Sequence, residues 1–391
     1  MHLAARQSAL DALLVYARPF WHESPFKTER PPWCEAHPGL EAALLALDDA
    51  GVAQLAADRP ALAALCAEHV PELAELGALT ALPPVPCSAP VLPGAHFGWQ
   101  IPGRKQAQIQ AFAAAAGPQQ GPVVEWCAGK GHLGRLVAAR AGVTVSSLER
   151  DAVLCAQGAD LARRARVDNQ TFHVEDVLQP AALAHLPGAA VLALHACGNL
   201  HRALCAAAEP RQLRALHLAP CCHDRGQLTT YAGRAGTCLQ LEAEHLRLAV
   251  QDTVTASARE IRLREREMAW KLAFVAWRGS LGPGAYRPFK PVPDSWLKGD
   301  FAQFMARLAA RESCRAPPAA QLDAWEARGH ARARTVARLA LARLAFGRAL
   351  EIWYVADLAL RLAASGYAVR LAEFCPRRLT PRNLLLQAWV A

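Results

Sequence analysis

Lysine is scarce in this chain, at six of 43 basic residues, so the basic side is almost all arginine. Charged residues are only 20 % against 53 % hydrophobic ones, which excludes a disordered chain. No stretch approaches the ~20 uninterrupted apolar residues of a membrane-crossing helix, so no membrane partner is expected. The opening residues Met1-His2-Leu3-Ala4-Ala5-Arg6 lack the apolar region of a secretion signal. The twelve cysteines contain no C-x-x-C pair and no regular spacing. That argues against a disulfide framework and for reduced thiols in a cytoplasmic protein. At 391 residues the chain has room for two or three domains. A net charge of +9 favours an anionic partner such as RNA. Part of the arginine excess is compositional style in an Ala/Arg/Leu-rich chain, and the charge argument is discounted accordingly.

The most informative run is Val123-Val124-Glu125-Trp126-Cys127-Ala128-Gly129-Lys130-Gly131-His132-Leu133-Gly134. An apolar strand ends in an acid, a glycine-rich turn follows, and a helix-like stretch continues through Arg135 to Arg140. Such a turn brings a nucleotide-like ligand against bare backbone at a helix N-terminus. A dinucleotide would set its pyrophosphate there. S-adenosylmethionine has no phosphate and needs an acid near its amino group, a requirement Glu125 suits better. One glycine motif is weak evidence, and its bland reading is a helix-capping turn. Four further strand-like runs strengthen it. Val143–Leu148 ends at Glu149, about 20 residues past the first glycine, where an acid grips ribose hydroxyls in Rossmann-like folds. Thr171–Val174 runs into Glu175-Asp176-Val177, Val191–Leu194 into His195-Ala196-Cys197-Gly198, and Leu213–Leu218 into Ala219-Pro220-Cys221-Cys222-His223. Open α/β sheets bind ligands at the carboxyl ends of their strands.

Residues 1–95 read as a helical N-terminal region closed by the proline-rich linker Pro83–Pro93. His96-Phe97-Gly98-Trp99 then leads to a helix at Arg104–Ala115. The alternation holds over 96–223 and stops in a mostly helical insertion over 224–340. Arg332, Arg334, Arg338, Arg343 and Arg348 lie along one helical stretch, either as RNA-backbone contacts or as the exposed face of a core helix. A helix at Leu344–Ala364, a strand at Tyr367–Phe374 and a strand at Leu384–Val390 return the chain to the core over 341–391. The last two strands imply an antiparallel hairpin at the sheet edge. A nicotinamide-type Rossmann sheet is normally all parallel, so this favours the methyl donor over NAD.

The fourth and fifth strands lie side by side in such sheets, gathering His195, His223 and three cysteines. The group reads as catalytic or substrate-orienting, as metal ligands, or as small buried turn residues. Zinc is the least favoured, because the spacing fits no usual knuckle and adjacent cysteines rarely reach one ion. The cysteines are read as structural and the histidines as functional.

The motifs Glu125 to Leu133, Leu194-His195-Ala196-Cys197-Gly198 and Cys221-Cys222-His223 resemble the methyltransferase family with an E-x-x-A-G-K-G turn, an H-x-C-G motif and a C-C motif. That family includes the eukaryotic acceptor-stem tRNA 2′-O-methyltransferase and the twenty-five branch of the methyltransferase-like proteins. Thr380-Pro381-Arg382-Asn383 resembles the S-P-R-N element of that branch, and Gly103-Arg104-Lys105 its lead-in helix. The resemblance spans residues 96–223 and the last fifty or so. Asn199, His223-Asp224 and the single Lys105 depart from the pattern.

The resemblance implies an α/β, Rossmann-like Class I methyltransferase sheet with an antiparallel last strand, plus a helical N-terminal region and a helical insertion. Glu125, Cys127, Gly129, Lys130 and Gly131 are expected at the methionine-side turn, Glu149 at the ribose, and Asp176 with Val177 at the adenine. His195, which also borders the cofactor, His223 and Asn199 are expected at the acceptor, with Asn383 a weaker candidate. No metal is expected. The acceptor implied is RNA, with tRNA a candidate. The alternatives are a protein methyltransferase, a non-catalytic RNA- or ribosome-binding scaffold, and a nicotinamide-dependent oxidoreductase.

Overall fold

The computed structural model describes residues 1–85, 92–94, 97–226, 228–251, 257–282 and 286–390. Most of the expected linker, and His96, lie outside them. Nine strands form among these residues. Seven make one sheet: β1 (Val123–Trp126), β2 (Val145–Glu149), β3 (Gln170–Val174), β4 (Ala190–Cys197), β5 (Ala215–Cys221), and then β8 (Ala368–Glu373) and β9 (Leu384–Trp389). The strand order is β3-β2-β1-β4-β5-β9-β8. β1 to β5 pair in parallel, and β9 runs antiparallel to both β5 and β8. The expected α/β fold, with a mostly parallel sheet closed by antiparallel strands, is therefore found. β9 lies inside the edge strand β8, so the hairpin supplies the last two places of the sheet.

Burial explains the strand type. All four residues of β1 and all seven of β5 are buried, as expected of strands covered on both faces. The helices Gly103–Ala116 and His132–Ala141 press Phe112, Leu133 and Leu136 against Val123, Leu192 and Leu385 of the sheet. Gly142, left-handed at φ 66°, ends the second of these helices with its N–H on Ala138 O.

The chain divides into two compact units. One comprises residues 1–15, 78–255 and 347–391, and contains the sheet. Its first helix, Leu3–Tyr16, is tied to the helix Gly347–Ala364 through Asp357. The fully buried Asp357 carboxylate accepts bonds from Gln7 Nε2 (3.0 Å), Tyr231 OH (2.6 Å), Arg234 N (2.8 Å) and Arg361 Nε (2.9 Å). Within the stretch read as mostly helical, β6 (Thr230–Ala232) and β7 (Gln240–Glu242) form a two-stranded antiparallel sheet of this unit. Pro83 and Val85 hydrogen-bond Glu373 at the outer edge of β8.

The other unit comprises residues 16–77 and 256–346 and is helical. The arginine row differs from its expectation here. The long helix breaks at Phe346, between Leu322–Ala345 and Gly347–Ala364. Arg332 donates to Pro25 O (2.6 Å), Arg338 to Leu47 O (2.7 Å) and Arg343 to Trp21 O (2.7 Å). These three guanidiniums cap backbone carbonyls of the 16–77 segment. No helix among the described residues is long and apolar enough to cross a membrane.

Candidate active site at the strand carboxyl ends

β1 ends at Trp126, whose indole N–H donates to Leu200 O at 3.2 Å. Three left-handed residues follow at alternate positions: Cys127 (φ 58°), Gly129 (59°) and Gly131 (61°). The turn is closed by Ala128 N–H on Leu148 O, Gly129 N–H on Glu149 Oε2 and Gly131 N–H on Ala128 O, each at 2.9 Å. The two glycines have different surroundings. A Cβ on Gly131 would stand 2.4 Å from the Phe172 ring, whereas one on Gly129 would meet nothing within 4 Å. Gly131 is therefore packed, and Gly129 presents backbone to open space, where a ligand can approach it. Lys130 between them is half-buried.

Glu125 lies beneath the glycine turn. It is 4 % exposed, and its Oε2 accepts the Ser147 hydroxyl at 2.8 Å. A Cβ on Gly134 would come within 2.5 Å of that oxygen, so the carboxylate is wedged against the first turn of the helix His132–Ala141. Burial lifts its pKa to about 7, although the Ser147 bond opposes the rise. Glu125 braces the turn from inside.

Glu149, at the end of β2, uses its other oxygen, Oε1, to accept Asp151 N–H at 3.1 Å. Asp176, beyond β3, accepts Leu178 N–H at 3.0 Å beside the buried Val177. Burial first, then the charges of Glu149, Cys197 and Asp176, push the Cys127 thiol up to about 12. Those groups come from β2, β4 and the end of β3, so the expected cofactor residues of separate strands converge on the glycine turn.

His195 interrupts β4. The β4–β5 register shifts between Leu194 and Ala196, and His195 takes φ 66°. A left-handed histidine in a strand costs about 1–2 kcal/mol, and such strain clusters at functional sites. Its Nδ1 is buried without a hydrogen-bond partner. Burial, followed by the charges of Lys105 and Arg382, lowers its pKa to about 4, so the ring is neutral.

The backbone carbonyl of His195 accepts the thiols of Cys221 (3.3 Å) and Cys197 (3.7 Å). The Sγ atoms of Cys197 and Cys221 are 3.0 Å apart, and those of Cys197, Cys221 and Cys222 all lie within 4.8 Å of one another. Bonds from Cys197 and Cys221 draw the Cys222 thiol downward.

Two of the expected acceptor residues, His223 and Asn383, are buried. His223 is 0 % exposed, with its ring 4.7 Å from that of Tyr354 and its Nε2 3.8 Å from Glu351 Oε1. The left-handed Cys222 (φ 44°) turns the chain so that His223 packs inward against Tyr354. Asn383 is buried, donating to Cys375 O (2.8 Å) and accepting from Arg348 (2.9 Å). Asn199 is half-buried, and its Oδ1 accepts from Arg202.

No sequence motif marks Arg202. Its guanidinium donates to His223 O (3.0 Å) and Arg225 O (2.8 Å), holding the loop after β5. The loop approaches so closely that a Cβ on Gly198 would stand 2.0 Å from Arg225 O. Ser147, which satisfies Glu125, was equally unmarked. Only its position opposite Glu125 on the neighbouring strand identifies it.

Residues 104–227 match a family model described as a methyltransferase domain. The chain is an S-adenosylmethionine-dependent methyltransferase. No curated protein matches the chain. The matched segment of the methyltransferase runs from the lead-in helix through β5 and holds the glycine turn, Glu149, Asp176, His195 and the three clustered cysteines. The donor set fits the methyl donor. A bare backbone face at Gly129 and acids at the ends of β2 and β3 surround one turn.

Proposed function

We propose that this methyltransferase acts on RNA, with tRNA as the first acceptor to test. The supporting observation is the positive charge at the acceptor end of the site. Lys105 and Arg382 act on His195, and Arg225 and Arg382 act on Cys222. Lys105 and Arg225 are exposed and can meet phosphates. The net charge of +9 and the motif resemblance to the acceptor-stem tRNA enzyme and the twenty-five branch support the same reading. In the described residues every cysteine is free, which supports a reducing compartment such as the cytoplasm.

When bound, the cofactor supplies a methyl group already activated on a sulfonium. Much of the acceleration then comes from positioning. Gly129 offers backbone to the methionine part, Glu149 grips the ribose, and Asp176 with Val177 holds the adenine. Glu125 and Ser147 keep the turn rigid from below. His195, neutral and half-buried at the bulge of β4, orients the acceptor and takes its proton through its imidazole.

The test is methyl transfer from labelled S-adenosylmethionine to total RNA, size-selected tRNA and total protein. Label in RNA is expected, lowered by Lys105→Ala and Arg382→Ala with cofactor affinity unchanged. Label confined to protein, or transfer to RNA indifferent to both substitutions, overturns the proposal.

A further inference from the structure

Three thiols at the ends of adjacent strands are an unusual use of cysteine. Cys34, Cys66 and Cys205 are buried singly, as small hydrophobes commonly are. Cys197 and Cys222 are instead half-buried, and together with the buried Cys221 they bring three sulfurs within 4.8 Å of one another. Neighbouring residues of a strand point to opposite faces, so Cys221 and Cys222 would ordinarily diverge. The left-handed backbone of Cys222, at φ 44°, breaks that alternation and returns its sulfur to the same side. Cys197 and Cys221 share a rung of the β4–β5 ladder. Gly198, which the Arg225 carbonyl approaches too closely for any side chain, lets the loop bearing Cys222 fold over Cys197.

We propose that Cys197, Cys221 and Cys222 form a binding site for a soft metal ion, zinc(II), with three sulfur ligands and a fourth position left to water. The donor chemistry selects the ion. All three ligand atoms are sulfur, which suits thiophilic d¹⁰ ions and excludes magnesium and calcium. Two sulfurs each ~2.3 Å from a tetrahedral zinc stand roughly 3.8 Å apart. The Cys197–Cys221 pair at 3.0 Å therefore opens by less than about 1 Å on loading. The loading step exchanges thiol protons for the ion, and the protons leave to solvent. Arg225 and Arg382, whose charges act on Cys222, offset the negative charge of a zinc tris-thiolate. Three protein ligands with one open position is the arrangement of reactive zinc sites, whereas structural sites use four. The site lies beside His195, so a bound ion sits next to the acceptor.

The experiment is titration of the full-length, reduced protein with cobalt(II), followed by displacement with zinc(II). The expected result is one equivalent of cobalt per chain with sulfur-to-cobalt charge-transfer absorption, abolished by zinc. Cys197→Ser and Cys222→Ser should each lose that absorption, while Cys238→Ser, at an exposed cysteine, should keep it. Circular dichroism and S-adenosylmethionine binding by the serine variants separate loss of the ligand from loss of the fold. Absence of charge-transfer absorption in folded wild-type protein, or absorption that survives Cys222→Ser, overturns the proposal. So does a Cys197–Cys221 disulfide that persists under reductant.

Discussion

Glu149 Oε2 accepts the N–H of Gly129 at 2.9 Å, joining the end of β2 to the centre of the glycine turn. One carboxylate thereby sets the turn, and under the proposed function it also grips the cofactor ribose. Glu149→Ala is expected to weaken S-adenosylmethionine binding by about tenfold to a hundredfold, the worth of a hydrogen bond to a charged group. Calorimetric titration measures it, and unchanged affinity would remove Glu149 from the site.

The two glycines of the turn should separate stability from binding. Gly131→Ala drives a methyl group to 2.4 Å from Phe172, so overpacking of about 1–3 kcal/mol adds to the left-handed strain. Gly129→Ala meets no atom and carries only the backbone cost of about 1–2 kcal/mol. Its Cβ nevertheless enters the space a cofactor needs. Melting temperature should fall more in Gly131→Ala, and cofactor affinity should fall in Gly129→Ala even where the protein is folded. Equal behaviour of the two would contradict the different surroundings of these positions.

Glu125 makes stability depend on pH with a definite sign. Its folded pKa, about 7, is above the ordinary carboxylate value, so between about pH 4.5 and 7 the folded chain holds a proton that the unfolded chain has released. Stability therefore declines as pH rises through that window, by on the order of 3 kcal/mol in all. Glu125→Gln keeps a partner for Ser147 and removes the ionisation. Denaturant unfolding across this pH range should show a flatter profile for the variant than for the wild type, and parallel profiles would refute the assignment.

His195→Ala should leave S-adenosylmethionine affinity within about twofold while lowering turnover by about a hundredfold or more, the usual worth of a positioned general base. Single-turnover kinetics with saturating cofactor separates the two effects. Wild-type turnover in this variant would exclude His195 from proton transfer.

Asp357 is fully buried and serves Gln7, Tyr231, Arg234 and Arg361 at once. Asp357→Ala leaves the buried Gln7 and Tyr231 donors without their acceptor, and a loss of about 1–3 kcal/mol for each buried donor left unpaired is expected. Guanidinium unfolding measures it. A change below about 1 kcal/mol would mean that water replaces the carboxylate at little cost.

The sheet was readable because each parallel strand is an apolar run closed by polar residues, and the glycines after the first run mark a tight strand–turn–helix junction. Contacts that depend on chain direction were not readable. His223 follows two cysteines at a strand end and looks exposed, but the left-handed Cys222 turns it inward against Tyr354. Asn383 sits in a loop motif, yet Arg348, distant in sequence, occupies its side chain. Arg332, Arg338 and Arg343 form a basic row on paper. Which of them stay free depends on the carbonyls of Pro25, Leu47 and Trp21, and periodicity carries no information about those. Glu125 reads as a ligand acid until Ser147, on the neighbouring strand, accounts for its oxygen.

The placement of β9 between β5 and β8 orders the birth of this enzyme on the ribosome. The cofactor strands, through β5, are synthesised first, and the whole 256–346 segment follows before β9 is made. Until then the outer edge of β5, all of whose residues are buried in the finished sheet, waits without its neighbour. A nascent chain in that interval is open to pairing with another strand edge. Shielding during synthesis is therefore as much a requirement of this architecture as the turn that receives the cofactor.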